Sequence, residues 1–164
     1  MISARVYVLA ALISVVAVAC MPQNKSEYVA NDADFANYTK WTLVDRVSGP
    51  SESLQNAHLA NDPNATRSIY IKDNADRTDD GKFPVGTTLV KHYTNKDGKL
   101  LGGVGMVKRG AGFNKEFGGW EWFVLNVSTG KIAINAAGAQ SRGAIAGCNQ
   151  CHAKTADNDY VFTR

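Results

Sequence analysis

The sequence lacks the features that mark several classes of protein. It has 164 residues, with 18 Lys and Arg against 15 Asp and Glu for a net charge of +3, and the cations are spread along the chain. Because there is no basic run, nucleic acid is a poor candidate for a partner. No segment is of low complexity and only 20% of residues are charged, which excludes disorder over most of the chain. The length suits one folded domain.

The sequence also lacks an apolar run long enough to cross a bilayer. Its longest apolar run, residues 6–19, follows Arg5 and has the size of the apolar part of a secretory signal peptide. The run ends in Ala17-Val18-Ala19-Cys20, which fits cleavage after Ala-x-Ala and also lipoprotein processing that acylates Cys20. The position of Cys20 favours the second route. We therefore expect a signal peptide over 1–19, a polar tether over 20–34 and a location in the bacterial periplasm, with a lipid anchor at Cys20 under the lipoprotein route.

Cysteine is scarce, and the two that remain lie together in Cys148-Asn149-Gln150-Cys151-His152. A redox dithiol of this spacing is expected in a βαβ unit, and the sequence predicts none here. A zinc site needs further ligands, and the other two histidines, His58 and His92, are distant in sequence. Attachment of haem c explains both the trailing His152 and the export signal, since the two thiols bond the haem vinyl groups and the histidine becomes the axial iron ligand.

A second axial ligand is not evident. The twelve residues after His152 contain neither Met nor His, whereas ordinary electron-transfer cytochromes c supply a Met downstream of the motif. The remaining candidates are Met106, His58 and His92. We expect Met106 in the core and both histidines at the surface, which leaves one face of the iron open to small molecules.

The central part of the chain predicts an α+β fold, mainly antiparallel β-sheet with a few short helices. Segments rich in β-branched and aromatic residues are separated by turn signals, of which Asn95–Gly98 is typical of a hairpin. The expected strands are Trp41–Val47, Arg67–Ile71, Thr87–Tyr93, Leu100–Val107, Trp120–Val127 and Lys131–Asn135. Helices are expected over Asp32–Lys40 and over Arg142–Lys154, the second carrying the haem motif.

Alternation along the strands places two cations on apolar faces. Lys91 shares a face with Leu89, and Arg67 shares one with Ile69. Long side chains that reach water from a partly exposed face would explain both positions. Glu121 falls on the same face of its strand as Phe123.

Short motifs along the chain resemble those of one family, the cytochrome P-460 family, which includes the cytochromes c′-beta. The matching pieces are W-x-x-V at 41–44, a basic residue before S-I-Y-I at 67–71, G-T-x-x-V-K at 86–91, the Gly-Met strand at 105–108, G-x-W at 118–120, C-x-x-C-H at 148–152 and D-x-V-F-T-R at 159–164. The resemblance runs from Trp41 to Arg164, which is essentially the whole of the expected domain, residues 35–164.

The resemblance implies a mainly antiparallel β domain, usually a homodimer, with one covalent haem c bound through Cys148 and Cys151 and ligated by His152. In catalytic members the Lys of G-T-x-x-V-K, here Lys91, is cross-linked to the porphyrin. Lys91 is thus both a catalytic and a haem-binding residue by resemblance, and the second catalytic position, a basic residue near the distal pocket, is Arg67.

Two functions follow from the resemblance. Catalytic members oxidise hydroxylamine with the help of a carboxylate close before the haem motif, but 131–147 contains no Asp or Glu, and only Glu121 is a candidate substitute. Relatives without the cross-link bind nitric oxide or carbon monoxide. The sequence therefore predicts a haem-dependent oxidoreductase for hydroxylamine or nitric oxide that passes electrons to a soluble partner. A non-catalytic gas-binding protein is the alternative, and a simple electron carrier is less favoured.

Overall fold

A computed structural model describes residues 27–54, 57–59, 61–110 and 112–163. The expected signal peptide, Cys20 and much of the expected tether lie outside these residues. The described chain forms one antiparallel sheet in which the first six strands lie side by side in chain order, and the seventh strand pairs with the fifth. None of the helices in these described ranges is both long and apolar enough to span a bilayer.

The bounds of the elements confirm the predicted α+β fold. The strands are β1 Thr42–Ser48, β2 Thr66–Ile71, β3 Thr88–Thr94, β4 Leu100–Lys108, β5 Trp120–Asn126, β6 Lys131–Ile132 and β7 Arg142–Gly143. The α-helix found in the described part of the chain is α1, Ala146–His152. Shorter 3-10 helices span Asp32–Phe35, Tyr38–Lys40, Glu52–Leu54, Lys72–Asn74, Lys115–Phe117 and Ala153–Asn158. The first five strands end within one residue of their predicted bounds, and the sixth ends at Ile132 rather than Asn135.

Both predicted helices are wrong in extent. The segment Asp32–Lys40 forms two 3-10 helices, because Asn37 between them takes a left-handed backbone with φ 56°. The segment predicted to be helical from Arg142 begins as β7, where Gly143 pairs with Trp122 and has φ 132°. The α-helix starts only at Ala146, and it does carry Cys148, Cys151 and His152.

The sheet has a buried apolar cluster on each face. On one face the two N-terminal 3-10 helices place Phe35 and Tyr38 against Val90 and Phe123. The approach is close enough that a Cβ on Gly105 would lie 2.8 Å from the Phe35 ring. On the other face α1 and the segment 159–163 cover Leu89, Met106 and Trp122. The alternation predicted for β3 is confirmed, since Val90 belongs to the first cluster and Leu89 to the second.

Candidate functional site

A cavity lies between the sheet and α1, on the face that carries Lys91. It is lined by Ala57, His58, Ile69, Leu89, Lys91, Val104, Gly105, Met106, Trp122, Phe123, Gly147, Cys148, Cys151, His152, Val161, Phe162 and Thr163. The walls are mostly apolar, and no Asp or Glu is among the described lining residues. Met106 is buried in the wall, as the sequence predicts.

The imidazole of His152 is held in one orientation at the cavity. Its Nδ1 lies 2.7 Å from the carbonyl oxygen of Tyr160. Because a carbonyl only accepts, Nδ1 donates this hydrogen bond, and Nε2 is the ring nitrogen left for a metal. The rings of Trp122 and Phe162 lie 4.4 and 5.1 Å from the His152 ring, centroid to centroid. Burial lowers the pKa of His152, which favours the neutral form that ligates iron.

The two thiols lie on the same short helix as His152. Cys148 and Cys151 are both free and half-buried, and both line the cavity. Residues three apart on a helix share a face. Burial raises the pKa of the Cys148 thiol.

Asn149, between the two cysteines, fixes the helix against the sheet. Its buried Oδ1 accepts hydrogen bonds from Trp122 Nε1 at 2.6 Å and from Asn114 Nδ2 at 2.8 Å. Its Nδ2 donates to Asn114 Oδ1 at 3.1 Å. The sequence did not point to this residue, because the C-x-x-C motif does not specify which residues lie between the two cysteines.

Lys91 projects from β3 into the cavity and also lines a second, adjacent cavity that contains Asp45 and Arg67. Within the described residues its amine makes neither a hydrogen bond nor an ion pair. Burial, and then the positive charge of Arg67, lower the pKa of Lys91 to about 8. The amine therefore loses its proton at a pH of about 8, well below the ordinary lysine value of 10.5.

Arg67 is buried but does not line the first cavity. Its Nη1 donates to the Leu59 carbonyl at 3.1 Å and its Nη2 donates to the Gly49 carbonyl. Both terminal nitrogens thus hold the loop between β1 and β2. Only 3% of Arg67 is exposed, so the idea that its long side chain reaches water is wrong.

Neither histidine that was expected at the surface is fully exposed, since His58 is half-buried and His92 is buried. His58, on the β1–β2 loop, lines the same cavity as His152. His92 is buried on the opposite face of the sheet, with Nδ1 3.1 Å from the Tyr38 hydroxyl. Alternation had placed His92 away from Lys91, but sequence alone did not show that the N-terminal 3-10 helices cover it.

Glu121 is also on the opposite face and cannot substitute for the missing carboxylate. It is 1% exposed, and its oxygens accept from Arg142 Nε at 2.7 Å and Arg142 Nη2 at 2.9 Å. Arg109 Nη1 lies 3.4 Å from the same carboxylate. The side chain is thereby committed to an ion-pair network away from the cavity.

Comparison with models of protein families gives a match to cytochrome P460 over residues 35–163. The chain belongs to the cytochrome P460 family. It is accordingly a c-type haem protein of the P460 kind, and the cavity fits that group, because two thiols and one oriented imidazole converge on an apolar space. A search of curated proteins gave no match.

The segment after the haem motif of this cytochrome P460 member is anchored by a buried ion pair. Lys108 Nζ lies 2.6 Å from Asp159 Oδ1, and Phe83 N donates to Asp159 Oδ2 at 2.8 Å. Trp120 Nε1 donates to the Asp159 carbonyl at 2.8 Å. These bonds fix the residue that precedes Tyr160, whose carbonyl orients His152. Lys108 and Asp159 lie within motifs that matched the family, but the sequence assigned them no role.

Proposed function

We propose that Cys148 and Cys151 carry one haem c through thioether bonds and that His152 Nε2 is the proximal iron ligand. The observation that carries this assignment is that the two thiols and the imidazole lie on α1 at the wall of one apolar cavity. The His152 Nδ1 hydrogen bond to Tyr160 supports it, since a ligating histidine normally donates its second nitrogen to such an acceptor.

The bound haem would supply an iron that binds small nitrogen species and exchanges electrons. Met106 is packed in the wall of the cavity, which supports an open distal position. We propose that the protein binds nitric oxide or hydroxylamine there, and that it oxidises hydroxylamine slowly. The second candidate is a protein that binds the gas without catalysis. The observation that supports it is the lack of a carboxylate among the described lining residues.

The residues of the chain have separable roles in this proposal. Trp122 and Phe162 pack against the imidazole of His152, and the apolar wall excludes water from the ligand. Lys91 Nζ, with a pKa of about 8, is the cation that holds or releases a proton beside the ligand, or it is the amine that bonds to the porphyrin edge. General acid–base help is typically worth about 10²–10⁴-fold in rate, so a site without a carboxylate keeps binding but loses turnover.

The attachment is tested by acid–acetone extraction of protein that is produced with haem c maturation. We expect haem to remain with the wild-type chain and to be released from the double variant Cys148→Ala/Cys151→Ala. Haem that extracts from the wild type would refute the thioether assignment.

The open iron is tested by the optical spectrum and by tryptic mapping. We expect a high-spin ferrous spectrum and binding of nitric oxide. A Lys91 peptide joined to the haem peptide supports the catalytic function, and a free Lys91 without hydroxylamine turnover supports gas binding. A low-spin ferrous spectrum that Met106→Ala abolishes would instead favour an electron carrier.

We also propose a periplasmic location, acylation of Cys20, a homodimer and a soluble redox partner. These proposals rest on the sequence features around Cys20 and on the family.

A further inference from the structure

The cavity contains a second imidazole that comes from a different part of the chain. His58 lies on the β1–β2 loop, whereas His152 lies on α1, and both line the same space. The ring of His58 packs near Tyr93, with the two centroids 6.3 Å apart. Within the described residues no hydrogen bond engages its ring nitrogens. A polar side chain in an apolar cavity without a protein partner is available to a ligand.

Burial and the nearby cations keep His58 neutral. Burial, followed by the positive charges of Lys91 and Arg67, lowers the pKa of His58 to about 4. At neutral pH the ring therefore has one N–H donor and one lone pair. The indole N–H of Trp122, which also lines the cavity, is already bonded to Asn149. With His152 assigned to the iron, His58 therefore supplies the remaining neutral N–H donor among the described cavity-lining side chains.

The loop is built to hold the ring in place. Arg67, itself buried, donates to the carbonyl of Leu59, the residue that follows His58. His58 and Leu59 both have φ 55°, a left-handed conformation that is uncommon for such residues and is maintained only where the surroundings impose it. Arg67 thus acts as a positioning residue for the His58 loop.

We propose that His58 donates a hydrogen bond to the small ligand bound at the open iron position and so slows its release. This role rests on the proposed open iron, and it gives the site a protein donor in addition to Lys91. It does not require His58 to coordinate iron.

The test compares His58→Leu, which removes the donor, with His58→Gln, which keeps an N–H donor at similar length. Both substitutions carry the same backbone cost at φ 55°, so they form a matched pair. In the ferrous carbon monoxide complex we expect the C–O stretching frequency to rise in His58→Leu and to stay near the wild-type value in His58→Gln. We expect nitric oxide to leave His58→Leu about two- to tenfold faster, the effect of one net hydrogen bond.

The outcomes separate this role from the proposed function. Carbon monoxide uptake with the same stretching frequency in wild type and His58→Leu would overturn the role of His58 alone. A wild type that takes up no carbon monoxide would overturn both the role and the open iron. A low-spin resting spectrum that becomes high-spin in His58→Leu would show coordination and overturn hydrogen bonding. Where His58→Leu gives poor yields, His58→Ala supplies the same comparison.

Discussion

At the scale of single residues, Lys91 shows how a strand position and its neighbours set a chemical property. Its place on β3 fixes the face, and its cross-strand neighbours Ile69 and Val104 are apolar. Arg67 adds a second positive charge near the amine. The native state therefore binds the Lys91 proton less tightly than the unfolded chain does.

This difference gives a pH dependence with a defined sign. The pKa of Lys91 falls from 10.5 to about 8 on folding, so between these values the unfolded chain carries more protons and stability rises with pH. We expect the free energy of unfolding of the wild type, relative to Lys91→Met, to increase from pH 7 to pH 10 by at most about 3 kcal/mol. Denaturant titrations at both pH values measure it. A flat difference would contradict a free, buried amine and is the result expected if Lys91 is bonded to the porphyrin.

The sequence predicted residue faces better than residue partners. Alternation correctly separated Lys91 from His92, because the period of a strand is local. The partners of Arg67 are the carbonyls of Gly49 and Leu59, in a loop whose path no local pattern specifies. The surface position expected for His58 was wrong for the same reason, since only the folded loop brings it to the cavity.

At the scale of elements, α1 depends on its contacts with the sheet. It spans only Ala146–His152, and helices this short are not stable alone. Asn149 supplies the polar contact to Trp122 and Asn114. The position of the haem motif therefore depends on a side chain between the cysteines.

Replacing Asn149 should weaken the protein more than replacing its neighbour. In Asn149→Leu the buried Trp122 Nε1 and the Asn114 amide lose their acceptor, at about 1–3 kcal/mol for each unsatisfied group. We expect a clearly lower Tm by thermal denaturation of the haem-loaded protein. The control is Gln150→Leu, because Gln150 is exposed on the same helix. Equal losses in both variants would count against the Asn149 contact.

The strands were predictable from local pattern. Their positions followed from β-branched and aromatic runs, both in the mostly buried β2, β3 and β5 and in the largely exposed β1. The helix predicted from Arg142 was wrong at its start. Arg142 instead pairs with Phe123 at the edge of β5, and its side chain donates to the carboxylate of Glu121. Long-range pairing of this kind overrides local helix preference.

At the scale of the whole molecule, one sheet carries two apolar cores, one on each face, and only one of them borders the cavity. The core around Phe35 is closed by the N-terminal 3-10 helices. The core around Trp122 borders the cavity. The closed core and the proposed haem site therefore lie on opposite faces of the same strands.

Substitutions on the two faces should give different results. Phe35→Ala removes a fully buried ring that packs 4.9 Å from Phe123, centroid to centroid. We expect a loss of about 3–5 kcal/mol in the free energy of unfolding and an unchanged haem absorption spectrum. Phe162→Ala, next to His152, should shift the spectrum with a smaller loss, since Phe162 is half-buried. An altered spectrum in Phe35→Ala would argue against independent faces.

The two-faced sheet also determines how the gene tolerates mutation. Along β3, Thr88, Val90 and His92 face the closed core, while Leu89 and Lys91 face the cavity. A saturation library of this strand, sorted by protein abundance and by colour, would show defects that alternate with a period of two. Clones that are abundant but pale would carry changes at the cavity-facing positions. Clones with little protein would carry changes at the positions that face the closed core.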